Sequence, residues 1–273
     1  MDVLISVDME GIAGIDDASD MREFNTERFA KSRKLMTGET NAAVEACLEA
    51  GVNKVYVVDG HAAGKNIIRD QLHSSAIFLE KEALRMMEGI DKNVDFCLFI
   101  GYHGRSSVLN SFTSHSYSSK IISRVKLNGV EVGEAELNAA LGKFLGVKLL
   151  FVSGTDYAIN EINIKGLRTL VTKESVRWFE SKSFPVQDMK NKMKISILDA
   201  FSNSDSVSFT DFPTKNVNFE VEFNLAFLLE DLSEKRINEK TITFDSDNVY
   251  EGFKKLMQIL MSATARYERA YST

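Results

Sequence analysis

The sequence has 273 residues, of which 44% are hydrophobic and 26% are charged, so it can bury a sizeable core and has the composition of a globular protein. Its formal net charge of −6 argues against general nucleic-acid binding, because an acidic surface repels phosphate backbones. No apolar run approaches the roughly 18 residues of a membrane span, and the first residues lack a basic segment, so neither a membrane anchor nor a signal peptide is expected. The cysteines, Cys47 and Cys97, are expected to be buried free thiols, which suits a reducing cytoplasm.

Short apolar runs alternate with amphipathic stretches along the chain. Strands are predicted at 3–7, 54–58, 76–79, 94–100, 121–127, 130–132, 148–152 and 217–223, and helices at 28–50, 66–72, 133–145 and 248–267. This alternation predicts an α/β fold, a three-layer α/β/α sandwich around a mixed, largely parallel sheet. The pair Asn128-Gly129 predicts a type I′ hairpin, which adds antiparallel pairing to that sheet. A single domain over residues 1–273 is expected, with a surface loop at 202–211 and the best candidate for a boundary near 202–216.

Acidic residues and histidines follow the ends of three predicted strands. Asp8 and Glu10 come directly after the first strand, and their side chains point to the same side if the strand continues through them. Asp59 and His61 end the second strand, and His103 follows the strand at 94–100. Because ligands of open α/β sheets bind outside the carboxyl ends of the strands, these side chains are expected to converge. Adjacent carboxylates repel unless a cation lies between them, so a divalent metal is predicted.

Two further residues extend this cluster. Glu134 lies in the first turn of a predicted helix, where the helix dipole alone would also favour an acid. His115 lies in the polar loop at 101–118. Aspartate, glutamate and histidine together suit zinc or a similar first-row metal. The five candidate ligands are Asp8, Glu10, His61, His103 and Glu134. Five exceed the three of a mononuclear catalytic zinc site, which indicates two metals bridged by one carboxylate.

Five short motifs resemble a known family, the zinc-dependent D-aminopeptidases encoded in bacterial dipeptide-transport operons. They are SVDMEGIAG at 6–14, VVDGHAAGKN at 57–66, GYHGRS at 101–106, SHS at 114–116 and VGEAELNA at 132–139. The resemblance implies removal of N-terminal D-residues from short peptides by an α/β/α sandwich protein. It also implies a homodecamer of two stacked five-membered rings. Gly60 departs from the family pattern, which usually has serine there.

The resemblance also implies a role for each residue of the cluster. Asp8 would bridge two zinc ions in each subunit. Glu10 and His61 would complete one zinc site. His103 and Glu134 would complete the other. His115 would lie beside the metals as the catalytic residue.

Two other functions fit the same residues. The first is a two-metal hydrolase of another amide or of a phosphoester. The second is a non-catalytic peptide-binding accessory of a transporter, although such a protein would need neither five metal ligands nor His115. The role of Asp59 also stays open, because it either orients His61 or only forms the turn at the end of its strand.

Overall fold

Two β-sheets with different strand directions form the framework of the protein. In the computed structural model, residues 1–23, 25–208 and 213–271 are described, and within them twelve strands form one sheet of seven and one of five. The strands are β1 (Asp2–Val7), β2 (Lys54–Asp59), β3 (Ala76–Leu79), β4 (Phe96–Tyr102), β5 (Ile122–Leu127), β6 (Val130–Glu131), β7 (Lys148–Thr155), β8 (Arg168–Arg177), β9 (Glu180–Ser183), β10 (Lys215–Phe223), β11 (Lys235–Asn238) and β12 (Thr241–Asn248). The helices are α1 (Thr26–Glu49), α2 (Glu134–Leu145), α3 (Asp156–Glu161), α4 (Val186–Ser202) and α5 (Val249–Tyr271).

The first sheet carries the strands whose ends were predicted to meet. Its order is β3-β2-β1-β4-β7-β8-β9, and all neighbours are parallel except β8 and β9. Strands β1 and β4 are buried along almost their whole length, as is typical of central strands covered on both faces. The predicted α/β fold with a mixed, largely parallel sheet is therefore confirmed.

Helices cover the first sheet and join it to the second. Helix α1 packs against α4 and contacts β1, β2 and β4, while α4 contacts β7 and β8. Helix α2 packs on β4 and β7 and also contacts α5, which lies against β10 and β12. Helix α2 thus lies between the two sheets, and its first residue, Glu134, is placed at the carboxyl end of the first sheet's strands.

The hairpin at Asn128-Gly129 lies in the second sheet, so the prediction that it joins the parallel sheet is wrong. The order of the second sheet is β11-β12-β10-β5-β6, with all neighbours antiparallel. The hairpin at Asn128-Gly129 forms, with both residues at positive φ as a type I′ turn requires, but it belongs to this sheet and not to the parallel one. The reason is that β5 pairs with the distant β10, whose buried side chains alternate along the strand. The antiparallel pairing in the first sheet comes instead from β8 and β9.

The remaining local predictions are largely confirmed. The helix predicted at 66–72 is wrong, because only a 3-10 turn forms at Arg69–Gln71. The expectation that both cysteines are buried free thiols is confirmed. Helix α4 ends at Ser202, and a 3-10 turn follows at Ser204–Ser206. The rest of the loop predicted at 202–211 lies partly outside the described residues. Across the described helices, none has the length and apolarity needed to cross a membrane.

Candidate metal centre

The cluster lies at the carboxyl ends of three adjacent strands. β1 lies between β2 and β4, and Val7 at its end is paired with Asp59 of β2 and Ile100 of β4. Parallel strands place their carboxyl ends at one edge of the sheet, so the residues that follow β1, β2 and β4 emerge side by side. The structure brings together Asp8, Glu10, His61, His103, His115 and Glu134 at this edge.

Asp8 and Glu10 converge on His61. Nδ1 of His61 lies 3.4 Å from Oδ1 of Asp8 and 3.0 Å from Oε2 of Glu10. Strand β1 ends at Val7, so the two carboxylates are aligned by a turn and not by continued strand alternation. The backbone of this turn remains anchored to β4, because Gly11 N donates a hydrogen bond of 2.7 Å to Gly101 O.

His103 forms the second half of the cluster together with Asp8 and Glu134. Nε2 of His103 lies 3.4 Å from Oδ2 of Asp8 and 3.5 Å from Oε1 of Glu134. Nδ1 of His103 donates a 2.9 Å hydrogen bond to Gly104 O, which leaves Nε2 without a proton in the neutral ring. Among the described residues, this buried Nε2 has no hydrogen-bond partner. A buried nitrogen that has no hydrogen-bond partner and lies between two carboxylates is well placed to bind a metal ion.

His115 lies against this second half from the loop that follows β4. Its ring is stacked on that of His103, and its Nε2 lies 3.8 Å from Oε1 of Glu134. Nδ1 of His115 donates a 2.7 Å hydrogen bond to Thr113 O, so Nε2 is the nitrogen directed at the cluster. The loop also holds Glu134, since Tyr117 N donates a 2.6 Å hydrogen bond to its carboxylate.

The donor atoms are close enough for metal binding. Among the described residues, three groups have donor atoms within 4.8 Å of one another. They are Asp8–Glu10–His61, Asp8–His103–Glu134 and Glu10–His103–His115. The first two groups share Asp8, and their nitrogen and carboxylate donors suit zinc. The donors of each of these two groups therefore fit a divalent cation, and Asp8 belongs to both groups.

The electrostatics of the cluster favour a cation. Burial raises the pKa of Asp8 to about 7, and the charge of Glu10 adds to this shift. Burial alone would lower the pKa of His103, but Glu134 and the other carboxylates raise it to about 10. The pKa of His115 is lowered by burial and by the positive charge of His103. The carboxylates thus stabilise positive charge at the first half and at His103, whereas His115 is kept neutral.

Asp59 forms a turn and does not lie among the candidate ligands. Its carboxylate accepts hydrogen bonds from the backbone N–H groups of Asn66 and Ile67, at 2.5 and 2.9 Å, and from the Asn66 side chain. The Asn66 side chain in turn donates a 2.8 Å hydrogen bond to His61 O. Asp59 therefore supports the loop that carries His61 through Asn66, which favours the turn-forming interpretation of the two left open.

The departure at Gly60 has a steric explanation. A Cβ atom at this position would lie 2.9 Å from the carbonyl oxygen of Val7 and 2.9 Å from Cβ of Met86. Real Cβ contacts are almost never this short, so a serine would force the backbone next to His61 to move. The approach of Met86 thus requires glycine in this chain.

Lys173 is a buried residue near the cluster that sequence reasoning missed. It lies on β8, and its Nζ donates hydrogen bonds to the backbone oxygens of Glu10, at 2.8 Å, and Ile15. Its ammonium also lies 4.9 Å from the centre of the Phe112 ring. Burial lowers its pKa to about 8. In the sequence Lys173 stands between Thr172 and Glu174 like an ordinary strand lysine, and no local pattern indicates its burial.

A cavity of about 250 Å³ opens beside the cluster. Residues of the cluster form one wall, and Lys81, Arg85, Tyr117 and Lys120 are among those that form the others. Burial, followed by the charge of Arg85, lowers the pKa of Lys81 to about 8. Lys81 and Arg85 could not be singled out from the sequence alone, because the segment after β3 has no recognisable motif.

Fold and site together define an α/β protein with a buried carboxylate–histidine centre at the carboxyl edge of its parallel sheet. A sequence model of the peptidase M55 family, described as D-aminopeptidase, matches residues 1–258. The chain therefore belongs to the D-aminopeptidase family.

One sequence comparison and one structural comparison illustrate this relationship. The D-aminopeptidase of Bacillus subtilis (strain 168) is 31% identical over 180 residues, which span 64% of this chain and 65% of that relative. The solved structure of the Zn-dependent D-aminopeptidase DppA from Bacillus subtilis, described as a self-compartmentalizing protease, superposes with a TM-score of 0.89 at 24% identity. That superposition covers 97% of this chain and 98% of the other, and it establishes the same fold along almost the whole length.

Proposed function

We propose that this protein is an aminopeptidase that binds two zinc ions per chain and hydrolyses short peptides from the N-terminus, with a preference for D-residues. The observation that carries the proposal is the position of Asp8, which belongs to both ligand groups. Glu10 and His61 complete the first group, and His103 and Glu134 complete the second. A binding protein without catalysis has no need for a buried centre of this kind.

The residues of the centre have separate roles in this proposal. Bound zinc ions supply Lewis acidity, which polarises a peptide carbonyl and makes water nucleophilic near neutral pH. Asp8 and Glu134 hold their positions because backbone N–H groups of Met9 and Tyr117 donate hydrogen bonds to them. His115 directs an unprotonated Nε2 toward the centre, where it accepts and returns the proton of the reaction.

The substrate class is supported by the family and by the cavity. Family membership favours peptides that begin with a D-residue. A cavity of about 250 Å³ lies near the lower limit of ordinary ligand pockets, which favours a small substrate such as a dipeptide.

The organisation of the chain forms part of the same proposal. Residues 1–273 act as one domain, because the second sheet takes β5 and β6 from the middle of the chain and β10–β12 from its end, so no single cut separates the sheets. The chain assembles as a homodecamer of two stacked pentamers, a proposal supported by the self-compartmentalizing description of the structural relative. The two free buried thiols favour a location in the reducing cytoplasm, where the protein would hydrolyse dipeptides.

Turnover of matched D- and L-aminoacyl amides tests the function. Zinc-loaded protein should hydrolyse D-alaninamide faster than L-alaninamide. His61→Ala should abolish this activity, whereas His73→Ala, which removes a histidine outside the cluster, should leave it intact. Absence of any amide hydrolysis by the zinc-loaded protein would overturn the proposal, and faster turnover of the L-compound would overturn its stereochemical part.

A further inference from the structure

One wall of the cavity beside the candidate metal centre is positively charged. Lys81 and Arg85 both lie on the segment that follows β3, and both line the same cavity as Asp8, Glu10 and Glu134. The two cations lie close enough that the charge of Arg85 acts directly on Lys81. Two neighbouring like charges on one wall of a small cavity repel, so an anion bound beside both of them would be stabilising.

The guanidinium of Arg85 has neither a counter-ion nor a hydrogen-bond acceptor among the described residues. Arg69, Arg168 and Arg177 pair with the carboxylates of Glu80, Asp199 and Glu180. In the part of the chain that the structure describes, the partly buried Arg85 guanidinium makes no ion pair, and no neighbouring carboxylate offsets the effect of burial on it. A guanidinium carries five donors in a planar fork that matches a carboxylate, and here the fork is unused.

The backbone at Arg85 is also held in a costly conformation. Its φ is +55°, in the left-handed region that residues other than glycine rarely adopt. Strain of this kind persists only where the surrounding structure imposes it, and it gathers at ligand-binding positions. Met86 and Met87 of the same 3-10 turn are buried and anchor the turn, so Arg85 is fixed at the edge of the cavity.

Lys81 is held in place from the side of the centre. Its Nζ donates hydrogen bonds to the backbone oxygens of Gly60 and, at 2.9 Å, Ala62, which flank His61. An ammonium has three donors, so one remains for a ligand. Lys81 thus lies between the His61 loop and Arg85.

We infer that Lys81 and Arg85 form a subsite for the C-terminal carboxylate of a short peptide. The inference rests on the proposed aminopeptidase function, which places the scissile bond at the metal centre. In a dipeptide the carboxylate lies within about 4 Å of the scissile nitrogen. A dipeptide whose scissile bond lies at the metal centre therefore has its carboxylate in the same small cavity. Charge-assisted bidentate hydrogen bonds would select dipeptides with a free carboxylate over peptides blocked at that end.

The test compares D-alanylglycine with D-alanylglycinamide, which differ only in the terminal charge. Wild-type enzyme should favour the free acid in kcat/KM by about tenfold to hundredfold, as hydrogen bonds to a charged group would give. The difference should lie mainly in KM, because the carboxylate does not react. In Arg85→Gln the acid-to-amide ratio should fall toward one, and Arg85→Lys should recover part of it. Lys92→Gln, which removes an exposed charge elsewhere, should keep the wild-type ratio.

The outcomes separate the subsite from the proposed function. Equal efficiency of wild-type enzyme on the acid and the amide would overturn the subsite while leaving the aminopeptidase in place. An unchanged acid-to-amide ratio in folded Arg85→Gln would overturn the role of Arg85. Hydrolysis of neither compound by zinc-loaded enzyme would overturn the aminopeptidase function, and the subsite would fall with it.

Discussion

The imidazole rings of His103 and His115 are stacked, with centroids 4.1 Å apart and planes inclined by 12°. Each ring donates its Nδ1 hydrogen to a backbone oxygen, of Gly104 for one and Thr113 for the other. Both rings therefore direct Nε2 at the carboxylate of Glu134, at 3.5 and 3.8 Å. The two histidines differ in their surroundings. His103 is the more deeply buried and also reaches Asp8, as suits a metal ligand, while His115 lines the open cavity, as suits a group that meets the substrate.

His115→Ala should retain both zinc ions and the native assembly but lose turnover by about 10²–10⁴-fold, the range for a positioned acid–base group. Steady-state kinetics on a D-aminoacyl amide, together with zinc content, would measure this. His73→Ala serves as the matched control. Near-normal turnover would make His115 a solvated loop residue, and loss of one zinc ion would make it a ligand.

Lys173→Met should weaken zinc binding by about 10–100-fold, as is typical when a group that supports a ligand is removed. The physical reason is that the Lys173 ammonium holds the backbone oxygen of Glu10, and a methionine of similar length cannot donate that hydrogen bond. Competition with a chelator would measure the affinity. Lys182→Met, at an exposed position on β9, should leave it unchanged. Equal zinc affinity in both variants would contradict this role of Lys173.

Glu39→Gln should stabilise the protein above neutral pH. The Glu39 carboxyl is fully buried, and burial raises its pKa from 4.5 to about 7. Because the folded state binds the extra proton, stability falls as pH rises from about 4.5 to 7. The cost of the ionised form is on the order of 3 kcal/mol above that window. Glutamine avoids this cost and keeps an oxygen for the hydrogen bond from Ala13 N.

Urea unfolding at pH 5 and pH 8 would measure the effect of Glu39→Gln. The gain in unfolding free energy should be largest at pH 8 and shrink toward pH 5, where the wild-type carboxyl is protonated. Glu49→Gln, an exposed change on the same helix, provides the control for loss of a negative charge. A gain that is the same at both pH values would show that ionisation of Glu39 is not its cause.

The position of the candidate ligands at the carboxyl ends of adjacent strands could be predicted from the sequence, because it depends on local features. Apolar runs that end in Asp8, His61 and His103 mark the carboxyl ends of strands, and parallel pairing then places those ends at one edge. The exact alignment of Asp8 with Glu10 could not be predicted in the same way, since it comes from a turn after β1 that hydrogen bonds to β4.

Features that depend on distant pairing were missed. β5 pairs with β10, which lies far away in the sequence. The residues Asn128-Gly129 therefore predict the turn type of the hairpin but not the sheet to which the hairpin belongs. Lys173 reaches Glu10 from β8, and Arg85 enters the cavity from the segment after β3, and neither position carries a local pattern that differs from an exposed basic residue. Burial of a cation is decided by tertiary packing, which a single sequence does not reveal.

Zinc content of wild-type protein and of Asp8→Ala tests the shared role of Asp8 most directly. Both proteins would be purified without chelator, loaded with zinc and freed of excess metal before elemental analysis. The proposed centre predicts two zinc ions per chain in the wild type and almost none in Asp8→Ala, because both sites lose the same carboxylate. One ion per wild-type chain, or two ions retained in folded Asp8→Ala, would contradict a two-zinc centre bridged by Asp8.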